Sequence, residues 1–195
     1  MVNVYFVRHA QPVHEHKDNR TRPLSEEGMA DRQVVLDFLK DKEIDAFYCS
    51  PYKRSIDTIA EAAKFFKKEI ITDERFRERK AGEELNWSEM LQRRWDDFDF
   101  HEDGGESLRM VQERNMEALF EVLDENDNKS IVIGTHGTAL STILNYYDSS
   151  FNCDSFLRII DWMPYIIQVR FDGHDMVDKV ECVHIYKEFK LKNND

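Results

Sequence analysis

Cysteine, proline and glycine are all scarce in these 195 residues, at three, four and seven. Three widely spaced thiols, Cys49, Cys153 and Cys182, make neither a disulfide framework nor a zinc cluster, so a reduced compartment, the cytoplasm, is expected. With no stretch rich in proline or glycine there is no linker and no low-complexity segment, and the chain reads as a single domain over residues 1–195. No apolar run approaches the roughly 18–20 residues needed to cross a bilayer, so no membrane association is expected. Met1–Val7 reads as a strand, not as a basic stretch ahead of an apolar one, so no leader is expected. Positive charge is outweighed, with 27 Lys and Arg against 39 Asp and Glu and a net charge of −12. That balance argues against a nucleic-acid partner, whose phosphates demand a basic surface. What is present is 41% hydrophobic and 12% aromatic, enough to build a core and to exclude a disordered chain.

The hydrophobic pattern alternates between two periods. Val2–Val7, Ala46–Cys49, Glu69–Thr72 and Ser130–Thr135 are short apolar or β-branched runs and read as strands. Between them lie helical spacings: Val34, Val35, Phe38 and Leu39 after a Ser25 cap; Ile56, Ile59, Ala60 and Ala63 after Ser50-Pro51, read as a cap and a proline at the first helical position; and Leu108, Val111, Leu119 and Val122 after Ser107. His136-Gly137 opens a further helix. Ile166–Phe171 and Met176–Ile185, joined by the turn Asp172-Gly173, read as two closing strands. Strand alternating with helix predicts a three-layer α/β/α sandwich around a mostly parallel sheet. Residues 80–105 break the rhythm and read as a helical insertion, a lid or substrate wall over the sheet.

In such sheets ligands bind beyond the carboxyl ends of the strands, where helix N-termini offer N–H groups to anions. Three strand ends here carry chemistry: Arg8-His9 after the first, Ser50-Pro51 leading to Arg54 after the second, and His136 after the fourth. Two arginines and two histidines converging on one crevice form a cationic cradle suited to a phosphoryl group, because a guanidinium offers paired donors to phosphate oxygens. His14, His16 and Asp18 sit in a polar loop, and no second cluster of ligand-spaced residues supports a metal there. Trp87, Trp95, Phe98 and Phe100 read as the core of the insertion sooner than as a stacking platform, and Glu83-Glu84 and Asp96-Asp97 as solvated faces. Arg75, Arg77, Arg79 and Lys80 are either an exposed basic edge or a rim that steers anions.

The block Phe6-Val7-Arg8-His9-Ala10-Gln11 resembles the strand and Arg-His-Gly motif of the histidine phosphatase superfamily, the phosphoglycerate-mutase-like enzymes. Ser50-Pro51-Tyr52-Lys53-Arg54 through Thr58 is similar to its Ser-Pro-x-x-Arg-x-x-x-Thr block, Arg77-Glu78 with Gly82 to the block holding the acid, Gly104–Leu108 with Arg114 to its Gly-Glu-Ser helix start, and Gly134-Thr135-His136-Gly137 to the second-histidine block. The resemblance covers residues 2–140 and implies a metal-independent phosphatase that needs no cofactor. His9 is then the nucleophile that becomes phosphohistidine. Arg8, Arg54 and His136 clamp the phosphoryl oxygens, Gln11 joins them in binding phosphate or substrate, and Glu78 is the general acid. Ala10 stands where the family has glycine. Glu15 stands where the mutase-type members have asparagine, so a carboxylate is expected to face an anionic acceptor and water to be preferred. The expected partner is a phosphorylated small molecule, with a phosphoprotein as the other candidate. The competing readings are a phosphomutase of the phosphoglycerate type and a non-catalytic phosphate-binding or partner-binding module.

Overall fold

In a computed structural model of the chain, the described residues are 1–83 and 87–188, with the side chains of Trp87 and Ser88 excepted. The strands are β1 (Val2–Arg8), β2 (Ala46–Cys49), β3 (Ile70–Thr72), β4 (Ser130–Thr135), β5 (Trp162–Asp172) and β6 (Asp175–Tyr186). The helices are α1 (Glu26–Leu39), α2 (Lys53–Phe65), α3 (Trp87–Asp96), α4 (Leu108–Glu125), α5 (Gly137–Tyr147) and α6 (Cys153–Ile159), with a 3-10 turn at Glu74–Phe76. The sheet order is β3-β2-β4-β1-β5-β6. The pairs β1/β4, β2/β4 and β2/β3 are parallel, while β5 pairs antiparallel with both β1 and β6. The mostly parallel sheet expected from the sequence is the one observed.

Successive side chains along a strand point to opposite faces, and the central strands are apolar on both. Val4, Phe6, Ile131 and Ile133 join one core with Met116 and Leu119 of α4, Leu140 and Ile143 of α5, and Phe156 of α6. Tyr5, Val7 and Val132 face the other way, into a core with Val35 and Leu39 of α1 and Ile59, Ala62 and Ala63 of α2. The hairpin turn Asp172-Gly173 is also as expected, with Gly173 in the left-handed region at φ +57°.

Three expectations are corrected, and one short helix had not been anticipated. The helix α2 begins at Lys53, with Tyr52 rather than Ser50 in the capping position. Ser50 Oγ instead accepts the Tyr52 N–H at 3.2 Å and faces His136. The buried face of α2 is Ser55, Thr58, Ile59, Ala62 and Ala63, leaving Ile56 and Ala60 only half-buried. A polar residue belongs on that face because Thr58 has backbone partners there. The seven residues of α6 had no periodic signal of their own, and β5 starts at Trp162, ahead of the expected Ile166.

The insertion contains one described helix, α3, and is otherwise held by charge and aromatic packing. Glu102 is buried between two arginines, accepting from Arg94 Nε at 2.8 Å and from Arg79 at 3.3 Å. Trp95 stacks near Phe98, Phe151 and Phe156, which ties the insertion to α6, so the core reading of these aromatics holds for Trp95. Glu84 and the Trp87 side chain, also singled out in the sequence, lie outside the described residues.

Candidate active site

Hydrogen bonds of the sheet ladder continue past the ends of three adjacent strands. His9 N donates to Thr135 O at 3.2 Å and Ser50 N to Gly134 O at 2.9 Å. This draws the Arg8-His9, Ser50-Pro51 and His136 ends to one rim. Thr58 completes the junction: its Oγ1 accepts the Ala10 N–H at 2.9 Å and donates to Arg54 O at 2.7 Å. One hydroxyl thus fixes the turn after His9 against the helix that carries Arg54. Ala10 is fully buried there in place of glycine.

Arg8, His9, Arg54 and Glu78 line one cavity of about 290 Å³, near the small end of ligand sites at roughly 300 Å³. His136 does not line it but lies against His9, with ring centroids 5.2 Å apart. Gln11 is not in the lining either. Its Oε1 accepts the Ser25 hydroxyl at 2.7 Å, and a Cβ on Gly28 would come within 2.2 Å of its backbone oxygen. Gln11 therefore seats the start of α1 and, like His136, lies outside the cavity lining. Glu15 is exposed and absent from the lining, so the expected carboxylate beside an acceptor is not there.

His9 Nδ1 lies 2.7 Å from Ala10 O. A carbonyl only accepts, so Nδ1 carries the hydrogen and Nε2 holds the ring's lone pair. Burial, reinforced by the Arg54 and Arg8 charges, holds the His9 pKa well below the usual histidine value, and the ring is neutral. For His136, Ser50 Oγ has already accepted the Tyr52 N–H and has its own hydrogen to give to Nε2, 2.7 Å away. We assign the His136 proton to Nδ1 on that basis. Burial first, then Arg54, keeps this ring neutral as well.

The two arginines are held by backbone carbonyls. Arg8 donates through Nη1 to Ile159 O at 2.6 Å and through Nη2 to Ile160 O at 2.9 Å, the C-terminal end of α6. Arg54 Nη1 donates to Asn19 O at 2.6 Å. Burial lowers both guanidinium pKa values to about 10, which leaves both charged at neutral pH. Among the described residues, Arg8 Nε and His136 Nδ1 are two of seven buried side-chain polar atoms without a hydrogen-bond partner. Buried orphan donors are rare in folded proteins, and two beside a neutral histidine and two cations make a receptacle for an anion.

Glu78 arrives from the loop between the 3-10 turn and the insertion. The capping residue of α5, His136, makes no side-chain cap bond, so the free N–H groups of that helix turn to Glu78. Its carboxylate accepts Thr138 N at 3.0 Å, Ala139 N at 3.1 Å and Arg79 N at 2.8 Å. The loop is braced from behind by Arg114, which donates to Arg75 O at 2.6 Å and Arg77 O at 2.8 Å. Glu106 binds Arg77 and Arg114. Burial would raise the Glu106 carboxyl, but these two hydrogen-bonded arginines outweigh it and bring it down to about 2. Of the basic run, Arg75 is engaged by Asp73 and Glu121, Arg77 by Glu106, and only Arg79 reaches the cavity.

The polar loop after β1 is braced internally. His16 Nε2 pairs with Thr21 Oγ1 at 3.0 Å, and Asp18 accepts from Arg20 N at 2.9 Å and Thr21 Oγ1 at 2.8 Å. Among the described residues no group of three or more His, Cys, Asp or Glu is placed to hold a metal.

Residues 4–159 match the histidine phosphatase superfamily, branch 1. The phosphoserine phosphatase 1 of Hydrogenobacter thermophilus is 31% identical over 153 residues, 70% of this chain and 71% of that protein. Among solved structures, Bacillus stearothermophilus YhfR shares the fold with a TM-score of 0.74 at 23% identity, over 91% of this chain and 95% of that one. An Entamoeba histolytica phosphoserine phosphatase variant in complex with phosphoserine does so with a TM-score of 0.74 at 18% identity, over 94% and 96% of the two chains. A mycobacterial glucosyl-3-phosphoglycerate phosphatase follows with 0.70 at 16% identity, over 93% and 97%. This chain belongs to the histidine phosphatase superfamily, and the phosphatase chemistry through phosphohistidine that the motifs implied is the chemistry of its family.

The neutral state of His9 is directly observable. Its folded-state pKa is depressed, so on acidification it takes up a proton only well below the free-histidine value of about 6.5. Nitrogen NMR of the ring should show an unchanged neutral Nδ1–H tautomer from about pH 8 down to about pH 6; protonation centred near 6.5 would contradict the buried, arginine-flanked environment.

Proposed function

We propose that this chain hydrolyses the phosphomonoester of a small phosphorylated metabolite in the cytoplasm, with His9 Nε2 as the nucleophile. The observation that carries the assignment is the pair of buried orphan donors, Arg8 Nε and His136 Nδ1, around a histidine whose Nδ1 is tied to Ala10 O. A phosphoryl group supplies the acceptors those donors lack. Nε2 forms the bond to phosphorus while the ester oxygen leaves, and Nδ1–H stays on its carbonyl as the ring becomes charged. Arg8 and Arg54 then face the oxygens on which transferring charge accumulates, and His136 adds a neutral donor. These two cations supply the charge that a metal supplies elsewhere.

Glu78 is the group that serves the leaving oxygen and then the attacking water. A carboxylate offers about four acceptor positions, and three are taken by backbone N–H groups, which leaves one for the proton that moves. The free thiols of Cys49, Cys153 and Cys182 support a reducing compartment. The small cavity favours a metabolite over a folded phosphoprotein, and the relatives that act on phosphoserine and on glucosyl-3-phosphoglycerate support a phosphorylated small acid. Water as acceptor does not rest on Glu15, which is exposed and outside the cavity lining.

Hydrolysis of p-nitrophenyl phosphate is expected to persist in excess chelator and to vanish in His9→Ala. Loss on chelation with recovery on adding a divalent ion would overturn the arginine-based account. Glu78→Gln is expected to slow an alkyl phosphate far more than the nitrophenyl ester, because only the alkoxide needs a proton to depart. Equal slowing of both would mean that Glu78 only braces the start of α5.

A further inference from the structure

The loop from Pro12 to Arg22 supplies neither the nucleophile nor the acid, yet it holds one of the two guanidiniums of the site. Arg54 is 3% exposed, and among the described residues its guanidinium donates one hydrogen bond, from Nη1 to Asn19 O at 2.6 Å. The Tyr52 ring lies 5.1 Å from the guanidinium carbon. A ring face attracts the charge but has no lone pair to select which N–H points where. The Asn19 carbonyl therefore sets the direction of the Arg54 fork.

That carbonyl belongs to the same peptide unit as the Arg20 N–H. A trans peptide is planar, so its C=O and N–H point in opposite directions, and turning one turns the other. Arg20 N donates to Asp18 Oδ1 at 2.9 Å, the side-chain-to-backbone bond of an Asx turn. Asp18 thus holds one side of the peptide whose other side holds Arg54. The carboxylate is itself fixed, because Thr21 Oγ1 donates to Asp18 Oδ2 at 2.8 Å. That hydroxyl, having given its hydrogen, accepts from His16 Nε2 at 3.0 Å. The next carbonyl, Arg20 O, accepts the Lys53 N–H at 2.9 Å and docks the turn on the first residue of α2, beside Arg54.

The electrostatics run the same way. A carboxylate at the N–H end and a guanidinium at the C=O end both meet the peptide dipole in its favourable sense, and hydrogen bonds chained through one polar group strengthen one another. Asp18 is exposed, so it reaches the buried Arg54 through one peptide rather than by a direct ion pair. A carboxylate bonded directly to Arg54 would occupy donors that the phosphoryl oxygens need and would neutralise the charge. Acting through the peptide avoids both.

We propose that Asp18 is a positioning residue for Arg54: by holding the Arg20 N–H it aims the Asn19 carbonyl, and through it the guanidinium that receives the phosphoryl group. The proposal rests on the phosphatase reading above, and a binding readout separates the two. The quantities measured are kcat/KM for p-nitrophenyl phosphate and the calorimetric Kd for inorganic phosphate. The proteins are the wild type, Asp18→Ala, Arg54→Gln and the double variant. Asp18→Ala should weaken both quantities roughly 3- to 10-fold, the worth of one hydrogen bond. In the Arg54→Gln background the same change should do nothing further, because the group it acts on is gone. Asp18→Asn should recover most of the loss, since an amide oxygen still accepts the Arg20 N–H. An equal effect of Asp18→Ala in both backgrounds would mean that it loosens the loop at large, and would overturn the proposal. So would no effect in the wild-type background, or an Asp18→Asn variant as weak as Asp18→Ala. If the wild type binds phosphate but hydrolyses no phosphomonoester, the phosphatase reading fails alone and the cycle in Kd still decides the role of Asp18. Failure of the wild type to bind phosphate would overturn both.

Discussion

Everything at the strand ends depends on two guanidiniums buried beside a neutral histidine. Arg8 and Arg54 are 4% and 3% exposed, and the groups hydrogen-bonded to them are carbonyl oxygens of Ile159, Ile160 and Asn19. Carbonyls orient a guanidinium without neutralising it. The site therefore carries positive charge in a low-dielectric setting, where an unpaired charge is costly and an arriving dianion is bound strongly. Glu78 is the carboxylate whose charge is felt by both arginines, and it is held back on the first N–H groups of α5. The same positive field and the same burial keep His9 unprotonated, which is the condition for nucleophilic attack. A carboxylate paired directly with Arg8 would relieve the strain of charge and remove both effects.

The sheet order accounts for the convergence. Because β1, β4 and β2 are neighbours and parallel, their carboxyl ends lie side by side, and residues far apart in the chain meet there. α5 follows β4 directly and presents its N-terminus at that edge. α6 then returns its C-terminal carbonyls to Arg8. The insertion closes one side, anchored by Trp95 against α6 and by Glu102 between Arg79 and Arg94. The insertion thus contributes Leu91 and Arg94 to the cavity lining and packs on the helix whose carbonyls hold Arg8.

Most of this was legible where the sequence signal is strong. The apolar runs of β1, β2 and β4 are too concentrated to be helices, and the arginine and histidine residues at their ends formed a pattern before any fold was known. What escaped had weak or misleading local signals. The seven-residue α6 is too short to show a period, yet it orients Arg8. Ser50-Pro51 has the form of a helix start, but Ser50 is drawn to His136 across the sheet. Thr58 reads as a polar interruption of an apolar face, and only the packed structure shows it bonding to Ala10 and Arg54 together. Gln11 and Glu15 follow His9 closely in sequence, but neither lines the cavity, although Pro12 and His14 beside them do.

The central claim is that His9 itself carries the phosphoryl group. Rapid quenching during turnover of a labelled phosphomonoester, followed by peptide mapping under alkaline conditions, tests it. The account predicts one acid-labile, alkali-stable phosphoryl group per chain, located on His9 and absent from His9→Ala. Turnover with no phosphoenzyme trapped at any quench time, or with the label on another residue, would contradict it.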